Sequence, residues 1–158
     1  MRLRPVQPAD QSFLDHVRSR EICGEFNWFD DPGERATAAV ERMIVALDDG
    51  TPIGSVSWHG VPYGPNRRSV AWNIGITIVP EHRGRGLGTA AQRALAEHLF
   101  GTTDANRVEA TTDVRNVAEQ RALERAGFQR EGVLRGAQHR SGGWHDLVVY
   151  ARLRGDAS

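Results

Sequence analysis

A run of glycine and arginine near the middle of the chain carries its clearest chemical signal. Three glycines and two arginines fall within the six residues Arg83 to Gly88. The stretch before them, 70–79, is rich in β-branched and aromatic residues, which favours a buried strand. Apolar residues then recur at helical spacing: Leu87, Ala91, Leu95 and Leu99. The pattern therefore predicts a strand, a tight loop and a helix in that order.

This order suits an anion such as a pyrophosphate. A helix that begins at such a loop directs unpaired N–H groups and its positive dipole end at the loop. Gly84, Gly86 and Gly88 lack the Cβ atoms that would block a phosphate. Arg83 and Arg85 would add charge-assisted hydrogen bonds. A glycine-rich turn without a ligand is the alternative reading.

Two common phosphate-binding patterns do not fit the spacing. The P-loop requires a lysine after its last glycine, whereas Gly88 is followed by Thr89 and Ala90. The dinucleotide pattern Gly-x-Gly-x-x-Gly is also absent, because this loop reads Gly-x-Gly-x-Gly.

Length and composition limit the class of protein. The chain of 158 residues predicts one domain, 1–158, large enough to bury a core. Twenty basic and twenty acidic residues give no net charge, which argues against a broad nucleic-acid surface. Cys23 is the single cysteine, so an internal disulfide and a multi-thiolate metal site are excluded. With no apolar run of membrane-spanning length, we expect a cytoplasmic protein that binds neither nucleic acid nor membrane.

Periodicity and turn residues predict the elements that must position the loop. The expected order is β-α-α-β-β-β-α-β-α-β-β, which indicates an α+β fold with a mixed, mostly antiparallel sheet. Gly60 to Arg68 is expected to be a loop, and Glu21 to Asp31 a loop or short helix beside a cleft. The predicted strands are 3–6, 43–47, 52–59, 70–79, 107–113, 128–139 and 144–153. The predicted helices run from 8 to about 19, from 32 to about 42, from 87 to about 99 and from 116 to about 126.

Three segments resemble the GNAT superfamily of acetyl-CoA-dependent N-acetyltransferases. Arg83-x-x-Gly86-x-Gly88 resembles its (Arg/Gln)-x-x-Gly-x-(Gly/Ala) signature. The segment 116–128, an asparagine that opens a helix closing in Arg-Ala-Gly-Phe, is similar to its second signature. The residues Glu131 to Arg135, with Trp144, His145, Asp146 and Tyr150, resemble the RimJ/RimL-type branch.

The resemblance implies a donor site for acetyl-CoA and no metal. Main-chain groups of Ile76 and Ile78 would pair with the pantetheine arm where the sheet is splayed centrally. Gly75 would mark that splay or a bulge, or would be needed for packing beside Trp72 or Trp58. The loop residues would hold the pyrophosphate, with a hydroxyl added in the first helical turn: Arg83, Gly84, Arg85, Gly86, Gly88 and Thr89.

Asn116 has two interpretations. The resemblance implies a contact with pantetheine, whereas Asn116-x-x-Glu119 also reads as a helix cap and partial capping box. Both roles can hold together.

The resemblance also implies a reaction: an amine attacks the thioester and the CoA thiolate leaves. Many members place a tyrosine acid in the helix after the asparagine, where this chain has Leu123. RimL-like members carry serine three residues after the asparagine, where this chain has Glu119, and an acidic residue where it has Gln138. A thiol with a pKa of about 8.5 leaves tolerably without help, so the identity of the acid stays open.

Several residues are candidates for the base. They are Glu25, His59, His139, His145 and a water beside Asn73. Glu25 is favoured, with His145 next, because burial of Glu25 among aromatic rings would make it a better proton acceptor. Its alternative role is to bind the acceptor's ammonium group.

An aromatic cleft is expected to hold that acceptor. Phe26, Trp28 and Phe29 would face Tyr63, Trp72, Asn73 and His145, with Glu25 at an anionic end. Such a cleft suits a primary amine on a small metabolite, an antibiotic or a peptide amino terminus. A homodimer is left open.

Two other classes compete with this interpretation. A nucleotide-dependent redox enzyme would use Asp113 as its ribose acid, but one βαβ unit does not form a dinucleotide site. A non-catalytic acyl-CoA sensor would explain the missing acids. Release of CoA in the presence of amines separates the sensor from the enzyme.

Overall fold

The structure, a computed structural model, describes residues 1–29 and 40–156. Seven strands and four α-helices lie in these ranges, with 3₁₀ turns at Pro8–Asp10, Arg67–Ser69 and Pro80–His82. The elements in chain order are β1 (Arg2–Pro5), α1 (Gln11–Val17), α2 (Arg20–Asn27), β2 (Glu41–Ala46), β3 (Pro52–Pro62), β4 (Val70–Ile78), α3 (Leu87–Thr102), β5 (Arg107–Asp113), α4 (Val117–Arg125), β6 (Gln129–Arg140) and β7 (Gly143–Leu153).

The strands form one sheet in the order β1-β2-β3-β4-β5-β7-β6. Neighbouring strands are antiparallel except β4 and β5, which are parallel and joined through α3. Parallel strands require such a crossover, whereas the β6–β7 hairpin needs a turn of two residues, Ser141 and Gly142, both at positive φ. The predicted α+β class and mixed, mostly antiparallel sheet are confirmed.

The second helix of the expected order comes from a different segment. The stretch expected to be a loop or short helix forms α2, which is interrupted at Gly24, where φ is 61°. The helix predicted from Pro32 to Arg42 falls mostly on residues 30–39, outside the described residues. The predicted end of that helix is wrong, because Glu41 and Arg42 begin β2 and pair with Trp58 and Ser57 of β3. Cross-strand pairing, which the local pattern does not show, decides the conformation there.

The third strand is longer than predicted. It continues to Pro62, which pairs with Val70 of β4, so the first three residues of the expected loop from Gly60 are strand. The chain then turns back through Asn66, whose side chain accepts from the Ser69 N–H and caps a 3₁₀ turn.

Side chains alternate between the two faces of the sheet, and each face has its own cover. On one face α3 and α4 contribute Leu95, Leu99 and Leu123 to the main apolar core. On the other face Leu14 of α1 packs against Ile44 and Ala46 of β2. Leu123 is almost fully buried, so the position at which the family often carries a tyrosine is a core position here.

The parallel strands β4 and β5 meet over a short length. In the described sheet they pair at Trp72 with Val108 and at Asn73 with Glu109. Beyond these two pairs, residues 74–78 of β4 and 110–113 of β5 have no ladder partner across the gap, which we call the wedge. The expected central splay is present.

Gly75 lies inside the wedge, two residues beyond its closed end. The register of β4 with β3 is unbroken there, so the bulge considered from the sequence is absent. A Cβ at Gly75 would lie 3.1 Å from Ser57 Oγ, so the tight contact here is with β3 and not with either tryptophan.

Candidate active site

The loop between β4 and α3 presents a row of free main-chain N–H groups. Gly84 and Gly86 adopt φ of 71° and 76°, a region that favours glycine. The first bond within α3 runs from Ala90 N to Gly86 O, and no side chain caps the helix among the described residues. The N–H groups of Leu87, Gly88 and Thr89 therefore lack intrahelical partners. We call residues 84–89 the cradle.

Gly88 strengthens the case for a ligand at the cradle. It has ordinary helical geometry, and a Cβ at this position would meet open space. Glycine in a helix is about 1 kcal/mol less favourable than alanine, so the described protein atoms give no reason for it. Close approach of a ligand would give one.

Arg83 has a role that differs from the expected phosphate contact. Its Nε donates to Ile78 O at 2.7 Å and its Nη2 donates to Ile22 O at 2.7 Å. These two bonds tie the loop to the end of β4 and to α2. Arg85 is exposed, and its Nη1 lies 3.3 Å from His82 Nδ1.

Asn116 caps α4, as predicted. Its Oδ1 accepts from Glu119 N at 3.4 Å, and its Nδ2 donates to Thr112 Oγ1 at 3.1 Å. The reciprocal bond of a capping box is absent, because the Glu119 carboxyl accepts instead from Gln92 Nε2 of α3. Contact between Asn116 and pantetheine stays a prediction.

Ile76 and Ile78 border the wedge on β4. Both side chains pack on the α3 face, Ile78 within the core and Ile76 against it. What these residues can offer to a ligand in the wedge is therefore their main chain, and its pairing with a pantetheine arm stays a prediction.

A cavity of about 480 Å³ opens on the other face of the sheet, between α2 and strands β2 to β4. Trp28 and Phe29 line it, and Gly75 and Thr77 reach it from the wedge. That Trp28 and Phe29 bind the acceptor stays a prediction. We call this cavity the α2 cavity. Its remaining lining residues are mostly polar: Val17, Arg18, Cys23, Asn27, Arg42, Ser55, Ser57 and Ile76.

Glu25 does not have the burial on which its candidacy as a base rested. Its side chain is exposed, and its main-chain oxygen accepts from Arg140 Nη1. The neighbouring Phe26 ring lies 5.6 Å from the guanidinium carbon of Arg115 and 5.9 Å from that of Arg140. Because α2 turns these residues toward β6, they contact a buried ion cluster rather than the α2 cavity.

That cluster centres on Asp113 at the end of β5. Asp113 and Arg140 are paired, and each side chain is 1% exposed. Burial alone would raise the pKa of Asp113, but hydrogen bonds from Arg115 and Arg140 outweigh it and lower that pKa. His145 joins with Nδ1 3.3 Å from Asp113 Oδ2 and Nε2 2.9 Å from Arg140 O. We call Asp113, Arg115, Arg140, His145 and Phe26 the Asp113 cluster.

The geometry disfavours His145 as the base. A carboxylate and a carbonyl only accept hydrogen bonds, so both ring nitrogens of His145 are held by acceptors. The ring is therefore engaged within the Asp113 cluster rather than directed at the α2 cavity.

Tyr63, Trp72 and Asn73 do not line the α2 cavity, so the expected single cleft is wrong. Trp72 and Asn73 are adjacent on a strand and must face opposite sides of the sheet. Trp72 packs against the core and donates from Nε1 to Thr103 Oγ1 at 3.2 Å. Tyr63 lines a second cavity of about 550 Å³, where its hydroxyl donates to Glu109 Oε2 at 2.8 Å. Asn73 Nδ2 lies 3.5 Å from Glu109 Oε1.

Sequence reasoning missed the buried charges Glu109 and Arg140, and it weighed Asp113 for a different role. A signal existed for Glu109, which lies between Val108 and Ala110 in an apolar strand and must find partners. For Arg140 no local signal exists, because its carboxylate partner lies 27 residues away and its carbonyl partner 115.

Two general findings limit the chemistry. In residues 1–29 and 40–156, no group of three or more His, Cys, Asp or Glu side chains is placed to hold a metal ion. Over the same ranges no helix is both long and apolar enough to cross a membrane.

The chain belongs to the acetyltransferase (GNAT) domain family, whose pattern matches residues 1–129. Among curated proteins it is similar to the putative ribosomal N-acetyltransferase YdaF of Bacillus subtilis, with 36% identity over 96% of this chain and 90% of that protein. The match to the probable N-acetyltransferase YjcK of the same organism has 33% identity over 72% of this chain and spans 61% of that protein.

Solved structures show the same fold. The spermidine N-acetyltransferase of Vibrio cholerae in complex with CoA and spermine has a TM-score of 0.80 at 22% identity, over 98% of this chain and 96% of that one. RimJ of Mycobacterium smegmatis in complex with CoA-disulfide has a TM-score of 0.79 at 22% identity, over 96% of this chain and 81% of that one. Both structural relatives contain CoA or a CoA derivative.

Proposed function

We propose that this protein transfers the acetyl group of acetyl-CoA directly to the primary amine of an acceptor bound at the same time. The observation that carries the proposal is the continuity of three features along β4. Residues 75–77 line the α2 cavity and border the wedge, and the same strand leads at Ile78 into the loop that forms the cradle. Strand β4 therefore connects the cradle, the wedge and the α2 cavity.

The donor half of the proposal assigns a part to each feature. The cradle would hold the pyrophosphate with its free N–H groups. The wedge would take the extended pantetheine arm as an added strand, paired with main-chain groups of Ile76 and Ile78. A strand N–H at the wedge can also polarise the thioester carbonyl, as an oxyanion hole does.

The acceptor half rests on the α2 cavity. Trp28 and Phe29 offer aromatic surface for a cation, and Ser55, Ser57 and Thr77 offer hydroxyls. The relatives are named for spermidine and ribosomal substrates, which supports an amine acceptor as a class. We propose a small amine or a peptide amino terminus.

His59 is the candidate base that best fits this site. It lies on β3 two residues from Ser57, on the same face, and pairs in register with Asn73 at the closed end of the wedge. Among the described residues its ring has no hydrogen-bond partner, unlike that of His145. His59→Asn should lower turnover at neutral pH by at least about tenfold, with a smaller loss at high pH where the amine is already neutral.

Steady-state release of CoA from acetyl-CoA tests the function. The panel should contain a polyamine, an aminoglycoside, an amino acid and a short peptide with a free amino terminus. Turnover with one class identifies transfer. Acetyl-CoA that raises the melting temperature while no amine releases CoA would contradict transfer and favour the acyl-CoA sensor. Equal stabilisation by NADH would contradict the donor assignment.

A further inference from the structure

Gln92 and Glu119 form a polar contact between the two helices that follow the wedge strands. Gln92 lies on α3, which follows β4, and Glu119 lies in the first turn of α4, which follows β5. Gln92 Nε2 donates to Glu119 Oε1 at 2.5 Å. The contact therefore links the two elements that border the open end of the wedge.

The contact leaves a buried acceptor unsatisfied. Gln92 is 1% exposed, and its Oε1 has no hydrogen-bond donor among the described residues. Buried polar atoms without partners are uncommon and unfavourable, so this atom calls for a donor that the described residues do not supply. An amide N–H of a pantetheine arm in the wedge is a donor of the required kind.

Among the residues that the structure describes, the Glu119 carboxyl has no basic partner. Burial raises its pKa to about 7, and the bond from Gln92 opposes the rise by a smaller amount. The charged groups on the elements packed against α4 are engaged elsewhere or exposed. Arg93 of α3 donates to Arg125 O, Asp113 of β5 pairs with Arg140, and Arg130 of β6 is exposed.

We propose that Glu119 is the general acid that protonates the departing CoA thiolate, with Gln92 as its positioning residue. The proposal rests on the transferase function proposed above. As the bond from the amine nitrogen to the acetyl carbon forms, the carbon–sulfur bond breaks and sulfur keeps the electron pair. The Glu119 carboxyl gives its proton to sulfur and is reprotonated from solvent. The proton of the amine leaves separately to the base.

Other residues of α4 are poorly placed for this role. Leu123 is in the core, and the Asn116 amide is held at both ends. Glu124, the other acidic residue of α4, accepts from Tyr150 OH at 3.0 Å and is exposed. Glu124→Gln is therefore a matched control with the same chemical change on the same helix.

The kinetic test uses the full chain and the best amine of the panel. Glu119→Gln should lower kcat at least about tenfold, with the KM for acetyl-CoA within about threefold. Wild-type kcat should fall above about pH 7 through one ionisation, and this fall should disappear in Glu119→Gln. Glu119→Asp should restore part of kcat and the pH dependence, and Glu124→Gln should match the wild type.

Gln92→Met tests the positioning role. Because the Gln92 bond holds the pKa of Glu119 down, its loss should move the fall in kcat to higher pH. A merely structural role would lower activity without moving that profile.

A measurement independent of activity completes the test. Carbon NMR of the glutamate carboxyls should show one group with a midpoint near 7 that is missing from Glu119→Gln. Wild-type kcat and an unchanged pH profile in Glu119→Gln would overturn the acid assignment and leave the transferase function standing. Absence of turnover in the wild type with every amine would overturn both.

Discussion

The proposed donor side and the proposed acceptor side of the sheet are built in different ways. On the proposed donor side are the cradle and the cap of α4. Each of them depends on main-chain conformation and on a helix end that lies within a few residues of it in the sequence. On the proposed acceptor side, α2 is held against the β6–β7 hairpin by the Asp113 cluster, whose Arg140 also donates to Glu25 O, 115 residues away in the sequence. Local chemistry thus shapes the proposed anion site, whereas the long-range contacts of a buried ion pair hold α2 in place.

The largest test of this contrast is Arg140→Met. Removing one partner of a buried ion pair leaves an uncompensated charge, so we expect a loss of about 3–5 kcal/mol in the free energy of unfolding. Arg115→Met is the control. Its side chain is 57% exposed although it contacts the same carboxylate, so we expect a loss under about 1 kcal/mol in chemical denaturation.

Adding Asp113→Asn to Arg140→Met should recover part of the loss, because the buried charge is then removed. Equal losses for Arg140→Met and Arg115→Met would show that the Asp113 cluster does not hold the acceptor side together.

Gly86→Val should have the next largest effect, on the donor side. A β-branched residue at φ of 76° is strained and would fill the phosphate approach, so we expect acetyl-CoA affinity to fall at least about 100-fold in calorimetry. Gly50→Val imposes similar strain at φ of 93° in the β2–β3 turn, also with open space at Cβ. Unchanged affinity in a folded Gly86→Val protein, or an equal loss in Gly50→Val, would contradict the cradle.

Glu119→Gln sharpens the comparison, because it tests a long-range contact on the donor side. The folded-state pKa of about 7 lies above the ordinary value of 4.5, so this carboxyl's contribution to stability is complete below pH 4.5 and is lost as pH rises to about 7. Relative to Glu119→Gln, the wild type should lose on the order of 3 kcal/mol across that window. Denaturation curves at several pH values check this, and parallel pH dependence of the two proteins would contradict it.

The smallest expected effect comes from Gly88→Ala and Gly101→Ala, both in α3 with open space at Cβ. Each should raise the free energy of unfolding by up to about 1 kcal/mol through helix propensity. Gly88→Ala alone should also weaken acetyl-CoA binding about tenfold, which corresponds to about 1.4 kcal/mol. Equal acetyl-CoA affinity in the two variants would show that Gly88 does not contribute to acetyl-CoA binding.

These contrasts explain how far the sequence could be interpreted. The strand, loop and helix around Gly86 and the cap at Asn116 follow from local residue types, and both were predicted. The single acceptor cleft expected from the sequence is not found, because strand alternation separates Trp72 from Asn73 and because α2 directs Phe26 toward Arg140. The spacing of residues in sequence does not show which strand a remote arginine will meet.

The short junction of β4 and β5 also has a consequence for amide hydrogen exchange. Two residue pairs join a four-stranded half of the sheet, β1 to β4, to a three-stranded half made of β5, β7 and β6. Amides of β4 and β5 that point into the wedge have no strand partner there, so they should exchange with solvent far faster than the β4 amides bonded to β3. A bound pantetheine arm would act as an eighth strand and slow that exchange, so protection of the wedge-facing amides in residues 74–78 would record when the two halves of the sheet become one.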